Sequence, residues 1–167
     1  MISASDVLEI SKKIAHDVNV LGACASNTLN EKSLYDQIVT NRVLRKKTEK
    51  LFKDGHHARS VEEAFKYIDN FVKKKAGLSS SKLTGASLMQ EVFSLNNPKL
   101  KLNEGVSDSE RNEQNGYMQL LAGCMTGIRN PRAHESDWED TEKRALQLLG
   151  LANHLIERVS MAEVVLV

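Results

Sequence analysis

The residues best suited to chemistry lie in the run GIRNPRAHE, residues 127–135, where Arg129, Asn130 and His134 stand close together in the chain. A histidine with a pKa near neutrality can take the proton from a ribose 2′-hydroxyl or return one to a leaving oxygen. An arginine donates paired hydrogen bonds to phosphate oxygens and stays charged while negative charge builds in the transition state. Together, these two side chains suit cleavage of an RNA phosphodiester without a metal ion.

Two interpretations of this segment remain open at the level of sequence. One histidine supplies half of the proton transfers that the reaction needs, so catalysis would call for a two-fold dimer that brings two copies into one groove. In the structural alternative, Arg129 stabilises the end of the preceding helix through the helix dipole, and His134 bonds a backbone carbonyl at the start of the next helix. Pro131 disfavours helical geometry at Asn130, so we expect a bend there between two long helices.

Composition favours helices as the elements that position these side chains. The 167 residues fit one domain, and the two prolines and 5% aromatic residues suit helices better than a twisted sheet. No apolar run reaches about 18 residues and the first residues lack the order of a signal peptide, which predicts a cytoplasmic protein without a membrane span. Cys24 and Cys124 lack the spacing of a disulfide framework or a zinc site, so we expect reduced, buried thiols.

Apolar residues recur at steps of three and four along most of the chain, which is the period of an amphipathic helix. Ser136 and Glu139 match a capping box at the start of the last predicted helix. Leu100 and Leu102 lie in the longest irregular stretch, where they form either a short extended piece or anchors for the loop. The predicted helices span residues 6–21, 34–52, 58–72, 88–93, 107–128 and 136–159.

Three glycines interrupt the helix predicted before the Arg129 segment. Gly116, Gly123 and Gly127 share one helical face with Leu120, and each glycine costs about 1 kcal/mol relative to alanine in a helix interior. Either another helix, for example from a second subunit, approaches this face closely, or the helix is locally weak.

Charge is distributed unevenly although the net charge is only +1. Residues 41–75 hold eleven Lys and Arg against five Asp and Glu, whereas residues 103–145 hold five against nine. Because the flank around residues 135–142 is acidic and repels RNA, the basic stretch must supply the attraction for a polyanion. The predicted RNA-binding residues are Arg42, Arg45, Lys46, Lys47, Lys50 and Lys53.

The motif RNPRAHE resembles the R-x4-6-H signature of the HEPN superfamily, in which a polar residue such as Asn130 usually follows the arginine. The wider chain resembles the bacterial Ymh-type branch of HEPN-like proteins over about residues 54–158. Four segments in the same order carry this resemblance: DGHHARSVEEAFKYID (54–69), GASLMQEVFS (85–94), NPKLKLN (97–103) and NGYMQLLAGCMTGIRNPRAHE (115–135).

The resemblance implies a HEPN-like bundle of up-and-down helices that dimerises through the motif-bearing helices. Arg129 and His134 would line a composite cleft for metal-independent RNA cleavage, and Asn130 would orient the phosphate or the histidine. It further implies a bacterial defence, toxin or stress system, with an antitoxin or a protein of a defence complex as a partner. Some HEPN proteins bind RNA or proteins without cutting, so a non-catalytic module is the alternative function.

Two further expectations complete the prediction from sequence. Residues 1–53 form an N-terminal helical segment that packs on the same domain, and residues 54–167 form the HEPN-like core. No cofactor and no metal are expected, because no Cys or carboxylate cluster accompanies the adjacent His56 and His57.

Overall fold

The computed structural model describes Glu9, Lys12, Lys13 and residues 33–165 of the chain. Most of these residues are helical, which confirms the prediction of an all-α protein. Glu9, Lys12 and Lys13 are helical, whereas the rest of the helix predicted for residues 6–21 lies outside the described residues, as does Cys24. Within the described part of the chain, no helix combines the length and apolar character needed to cross a membrane.

The described residues from 34 onward form one compact unit of the chain. The assignment of residues 1–53 to a separate segment stays a prediction, because most of residues 1–32 are not described. The elements of the compact unit are, in chain order, α1 (Leu34–Ile38), α2 (Arg42–Lys53), α3 (His57–Lys75), α4 (Gly85–Val92), β1 (Leu100–Lys101), α5 (Asp108–Cys124), a π-helical turn (Met125–Arg129), α6 (Asn130–His134), α7 (Glu142–Ser160) and β2 (Glu163–Val164).

Helix α3 lies at the centre of the compact unit, where it packs against α2, α4, α7 and the π-helical turn. Its apolar residues follow the predicted helical period, and Val61, Phe65, Ile68 and Val72 are fully buried. Burial of such side chains is the main stabilising contribution to a bundle of this kind, at about 1.5–3 kcal/mol for each one.

The single helix predicted for residues 34–52 is wrong, because the chain forms α1 and α2 with a break between them. Asn153 of α7 causes this break: its side-chain oxygen accepts the backbone N–H groups of Thr40 and Asn41, at 2.9 and 2.8 Å. The side chain of Asn41 in turn caps the first turn of α2. A polar contact from a distant helix thus overrides a continuous helical pattern.

The predicted capping box at Ser136 and Glu139 is also wrong, since α7 begins at residue 142. Thr141 is the N-cap, and its hydroxyl accepts the backbone N–H of Arg144 at 3.3 Å. A complete capping box is found instead at the start of α5, between Ser107 and Glu110. Both helix starts follow the same rule, in which a side-chain oxygen accepts an unpaired N–H of the first turn.

The irregular stretch before α5 is both extended and anchored. Leu100 pairs with Val164 in an antiparallel two-stranded ladder, and Leu100 and Leu102 are buried. The buried side chain of Gln114 accepts the N–H of Leu102 at 2.9 Å and donates to the carbonyl of Leu100 at 3.0 Å. These contacts tie the loop to α5, the helix that leads into the Arg129 segment.

Candidate functional site

The non-helical geometry predicted for Asn130 is wrong, because the backbone stays helical there with φ −63° and ψ −44°. Helix α5 passes into the π-helical turn, and the N–H of Asn130 donates to the carbonyl of Met125, five residues back. The next residue, Pro131, has no N–H, so the π-helical ladder cannot continue past Asn130. Proline suits the first turn of a helix, which explains why α6 begins at this point.

Arg129 is the last residue of the π-helical turn and is half-buried. Its Nη1 donates to the side-chain oxygen of Asn130 at 3.1 Å, the only hydrogen bond of this guanidinium within the described residues. Nε is buried and has no partner there. A guanidinium carries five N–H donors, so Arg129 keeps most of them for a ligand with several acceptors, such as a phosphate.

Asn130 and His134 are four residues apart in α6, which places them on one face of the helix. The His134 side chain is exposed and has no hydrogen bond to any described residue. Arg129 precedes this face by one residue, and its bond to Asn130 draws the guanidinium toward it. The structure therefore brings Arg129 and Asn130 into contact and places His134 beside them, with no direct bond from His134 to either.

The contacts of the structural alternative are missing from the described part of the chain. Helix continues past Arg129, so the guanidinium does not stabilise a helix end there. The imidazole of His134 bonds no backbone carbonyl, and the start of the next helix is capped by Thr141 instead. The oxygen of Asn130 is bonded to Arg129 rather than to the histidine.

Arg132 is a functional candidate that the sequence reasoning missed. Its guanidinium makes a two-pronged ion pair with Asp140, with Nε to Oδ2 at 2.6 Å and Nη2 to Oδ1 at 2.7 Å. Nη1 donates to the carbonyl of Ile128 at 2.6 Å. The two side chains are 1% and 0% exposed, so this is a buried pair.

The helical phase contained a signal for this pair. Leu121, Met125 and Ile128 mark the inward side of the helix at steps of four and three, and Arg132 follows in the same phase. An arginine on the inward side requires a buried acceptor, because an unpaired charge there is costly. From the sequence, Asp140 was counted with the acidic flank that repels RNA. In the structure its carboxylate forms an ion pair with Arg132, which offsets its negative charge.

Trp138 lies in the loop between α6 and α7 and contacts two arginines. Its ring centre is 5.5 Å from the Arg132 guanidinium carbon and 5.9 Å from that of Arg144, within the range of cation–π interactions. The single tryptophan thus packs against side chains of its own chain and is only partly buried. It helps to hold the loop that follows His134.

The three glycines of the Arg129 helix face open space. No atom of the described chain lies within 4 Å of a methyl group built on Gly116, Gly123 or Gly127. Leu120, between them, is 42% exposed. Within the described residues no helix approaches this face, so any close packing there comes from outside the described part of the chain. The steps of four and three continue from the glycines to Asn130 and His134.

The cations of the basic helix α2 fall into two groups, those with a partner among the described residues and those without an ion pair there. Arg45 pairs with Asp36 and Glu49, and Lys53 pairs with Glu49 at 2.6 Å. The ammonium of Lys47 lies 5.8 Å from the centre of the Tyr67 ring. The remaining predicted RNA-binding residues are exposed, have no ion pair with described residues and share one helical face at steps of four: Arg42, Lys46 and Lys50.

Other titratable groups near the start of α3 form no metal site. His57 is half-buried with its ring centre 5.0 Å from that of Phe52, while His56 is exposed. Among the described residues, no three His, Cys, Asp or Glu side chains are grouped to hold a metal ion.

The fold and the site define an all-α protein whose helical arginine–histidine segment faces solvent on one side. Residues 39–159 match the model of a family described as "Protein of unknown function (Hypoth_ymh)". Since that match covers more than half of the chain, the protein belongs to this family. The match begins before residue 54, where the sequence resemblance was expected to start. No curated protein and no solved structure matches the chain.

Proposed function

We propose that this protein is a metal-independent endoribonuclease of the HEPN type that acts as a homodimer. The observation that carries the proposal is the solvent-facing group of Arg129, Asn130 and His134, in which guanidinium donors and an imidazole are free of other partners within the described residues. The R-x4-6-H spacing of Arg129 and His134, which carries the resemblance to the HEPN superfamily, supports this assignment. A role in a bacterial defence, toxin or stress system belongs to the same proposal.

The proposed reaction uses the ribose 2′-hydroxyl as nucleophile. The imidazole of His134 accepts the 2′-hydroxyl proton while the oxygen attacks phosphorus, and the bond from phosphorus to the 5′-oxygen breaks. The leaving oxygen takes a proton from the histidine of the second copy, so one proton is removed and one is supplied. Arg129 donates to the non-bridging oxygens as their charge increases, and its bond to Asn130 limits the orientations of the guanidinium.

A second copy is needed because one chain contributes one such histidine. The exposed glycine face of α5 and the π-helical turn supports this part of the proposal, since it lies on the helix that ends at His134 and has no close neighbour in the described chain. In sedimentation experiments we expect wild-type protein to be dimeric and Gly123→Leu, which fills the face, to be mostly monomeric. An Asn70→Leu variant at an exposed helical position of α3 controls for added apolar surface. A dimeric Gly123→Leu variant would contradict this interface.

Electrostatic attraction of RNA is assigned to Arg42, Lys46 and Lys50. These three cations lie on one face of α2 and form no ion pair with the described residues. Replacing each phosphate-binding cation should lower the affinity for RNA and reduce the salt dependence of binding by about one unit of slope. Arg45→Gln is the matched control, because Arg45 is already paired with Asp36 and Glu49.

The direct test is incubation of structured and unstructured RNA with purified protein in EDTA. Wild type should cleave, and His134→Ala should cleave about 10²- to 10⁴-fold more slowly because it lacks the acid–base group. His56→Ala is the control, since His56 is an exposed histidine whose side chain makes no cap hydrogen bond. Expression of wild type should arrest growth of a bacterial host and His134→Ala should not. Equal rates for wild type and His134→Ala would overturn the nuclease assignment.

One observation favours a second candidate function, a non-catalytic module that binds RNA or a partner protein such as an antitoxin. No described residue bonds the His134 ring, whereas histidines that act as bases are commonly oriented by a second group. This module would bind RNA through Arg129 and the basic face of α2. It predicts that Arg129→Ala loses RNA binding while wild type yields no cleavage product under any condition.

A further inference from the structure

The buried ion pair between Arg132 and Asp140 joins three parts of the chain around the proposed catalytic group. Arg132 belongs to α6, Asp140 precedes α7, and Ile128, whose carbonyl accepts Nη1 of Arg132 at 2.6 Å, belongs to the π-helical turn. His134 lies between the two ends of the pair in sequence. All the contacts of the Arg132 fork are therefore made immediately before and after the segment that carries the imidazole.

A need for stability is a weak explanation for this pair. Both charges lose their hydration when buried, and well-packed apolar residues of similar volume often give equal or greater stability. A rigid, planar fork offers something that an apolar contact lacks, because its hydrogen bonds fix distance and direction together. Precise placement of the neighbouring backbone is the property that this geometry favours.

His134 depends on that placement because little else holds it. Helix α6 has only five residues and forms the last turn of the helical stretch that begins with α5, and the terminal turns of a helix tend to fray. After His134 the chain leaves the helix at Glu135, with φ −108° and ψ 110°. The loop that follows is closed by the Asp140 end of the pair and by Trp138, whose ring lies against Arg132.

We propose that Arg132 and Asp140 are positioning residues of the active site, which set the orientation of Arg129 and His134 through the backbone without touching RNA. This inference rests on the proposed nuclease function. Ile128 directly precedes Arg129, so the bond from Arg132 to its carbonyl fixes the residue that carries the phosphate-binding guanidinium. The ion pair with Asp140 fixes the other side, where α6 ends. The two contacts together fix the distance between Arg129 and His134.

The test replaces the whole pair, with Arg132→Met and Asp140→Leu combined, so that no charge is left buried alone. We expect the melting temperature to stay within a few degrees of wild type, while kcat for RNA falls roughly 10- to 100-fold and KM changes less than about 3-fold. Misplacement of reacting groups by about 1 Å is sufficient for a loss of that size. The combined Asp108→Leu and Arg111→Met variant removes an exposed pair at the start of α5 and should leave kcat unchanged.

A second variant covers the case in which the double variant does not fold. Arg132→Lys keeps a cation for Asp140 but lacks the fork that also reaches Ile128, so it should fold and still lower kcat with little change in KM. An unchanged kcat in either folded variant would overturn the positioning role.

A separate readout distinguishes failure of this inference from failure of the nuclease assignment. If wild type cleaves no RNA, the nuclease assignment fails by itself. Amide hydrogen exchange then tests whether the ion pair holds the backbone around His134 in place. In the double variant, the amides of Ala133, His134 and Glu135 should exchange at least about tenfold faster than in wild type, and those of α3 should be unchanged. Equal protection of these three amides in both proteins would overturn the placement as well.

Discussion

Arg129 and Arg132 lie three residues apart on the same helical stretch and have opposite environments. Arg132 is buried, with its guanidinium bonded to Asp140 and to the Ile128 carbonyl. Arg129 is half-buried, and its single hydrogen bond in the described chain goes to the neighbouring Asn130. One arginine has most of its donors satisfied within the fold, and the other keeps most of them available.

This difference separates a structural side of the segment from a chemical side. A side chain whose hydrogen bonds are satisfied internally has little to offer a substrate, whereas free donors at a solvent-facing surface can bind an anion. Nearness to His134 in the sequence does not distinguish the two arginines. Their helical phase does, because Arg132 continues the inward phase of Leu121, Met125 and Ile128.

The largest expected effect is on stability, from Arg132→Ala compared with Arg129→Ala. Removing Arg132 leaves the Asp140 carboxylate buried without its main partner, which should lower the free energy of unfolding by about 3–5 kcal/mol. Arg129→Ala should change it by less than about 1 kcal/mol, since one hydrogen bond near the surface is lost. Urea denaturation at one protein concentration measures the free energy of unfolding of both variants. Equal losses of stability in the two variants would contradict the different environments of the two arginines.

Cys124 provides a chemical probe of the inward side. Burial raises the pKa of its thiol to about 11, so at pH 8 its thiolate fraction is roughly 200-fold below that of a free cysteine. In a Cys24→Ser background, iodoacetamide should therefore alkylate the native protein slowly and the urea-unfolded protein at the rate of a simple thiol. Rapid labelling under native conditions would show that this side of the helix is open.

Gly123→Ala probes the outward side with a smaller effect. A methyl group there meets no atom of the described chain within 4 Å, so the helix should gain about 0.5–1 kcal/mol of stability. Gly150→Ala is the matched control in α7, where the new methyl would lie 3.1 Å from Cγ2 of Ile38 and the gain should be smaller. The measurement is thermal denaturation at low protein concentration, and a loss of stability in Gly123→Ala would contradict an open face.

The smallest effect concerns Glu113, whose ion pair with Arg158 is partly exposed. Hydrogen bonds from Arg158, at 2.8 Å, and then from Asn103 hold the pKa of Glu113 below its usual value. A depressed folded pKa contributes stability above the unfolded value of 4.5, and this contribution is lost as the pH falls through the folded pKa. Between pH 6 and pH 3, stability should decrease less in Glu113→Gln than in wild type.

Denaturation of Glu113→Gln and wild type at several pH values tests this sign. Parallel curves for the two proteins would show that the carboxylate has the same pKa in the folded and unfolded states.

Much of the fold followed from the sequence, because the burial of Val61, Phe65, Ile68 and Val72 obeys the helical period. Two errors in the fold come from side-chain contacts between different elements of the chain. Asn153 breaks the helix predicted for residues 34–52, and Asp140, next to the expected capping box, is held by Arg132 of α6. Local patterns carry no information about such partners.

For the site, the sequence contained the residue types but not their geometry. The spacing of Arg129 and His134 is visible in the sequence, whereas the π-helical turn that precedes a helical Asn130 is not. Pro131 predicts a helix boundary only on the assumption that the preceding residue avoids helical geometry, and the wider turn removes that conflict. The helical phase alone indicates that Arg132 is buried. The prediction from sequence gave more weight to the Arg129–His134 motif and missed this role.

The central claim is that the solvent-facing group of Arg129 and His134 cleaves RNA by attack of the 2′-hydroxyl. Analysis of the ends of the RNA fragments produced in EDTA tests this most directly. We expect fragments that carry a 2′,3′-cyclic phosphate and a free 5′-hydroxyl, formed by wild type and not by His134→Ala. Fragments with 5′-phosphate ends, or the same cyclic products from His134→Ala, would contradict it.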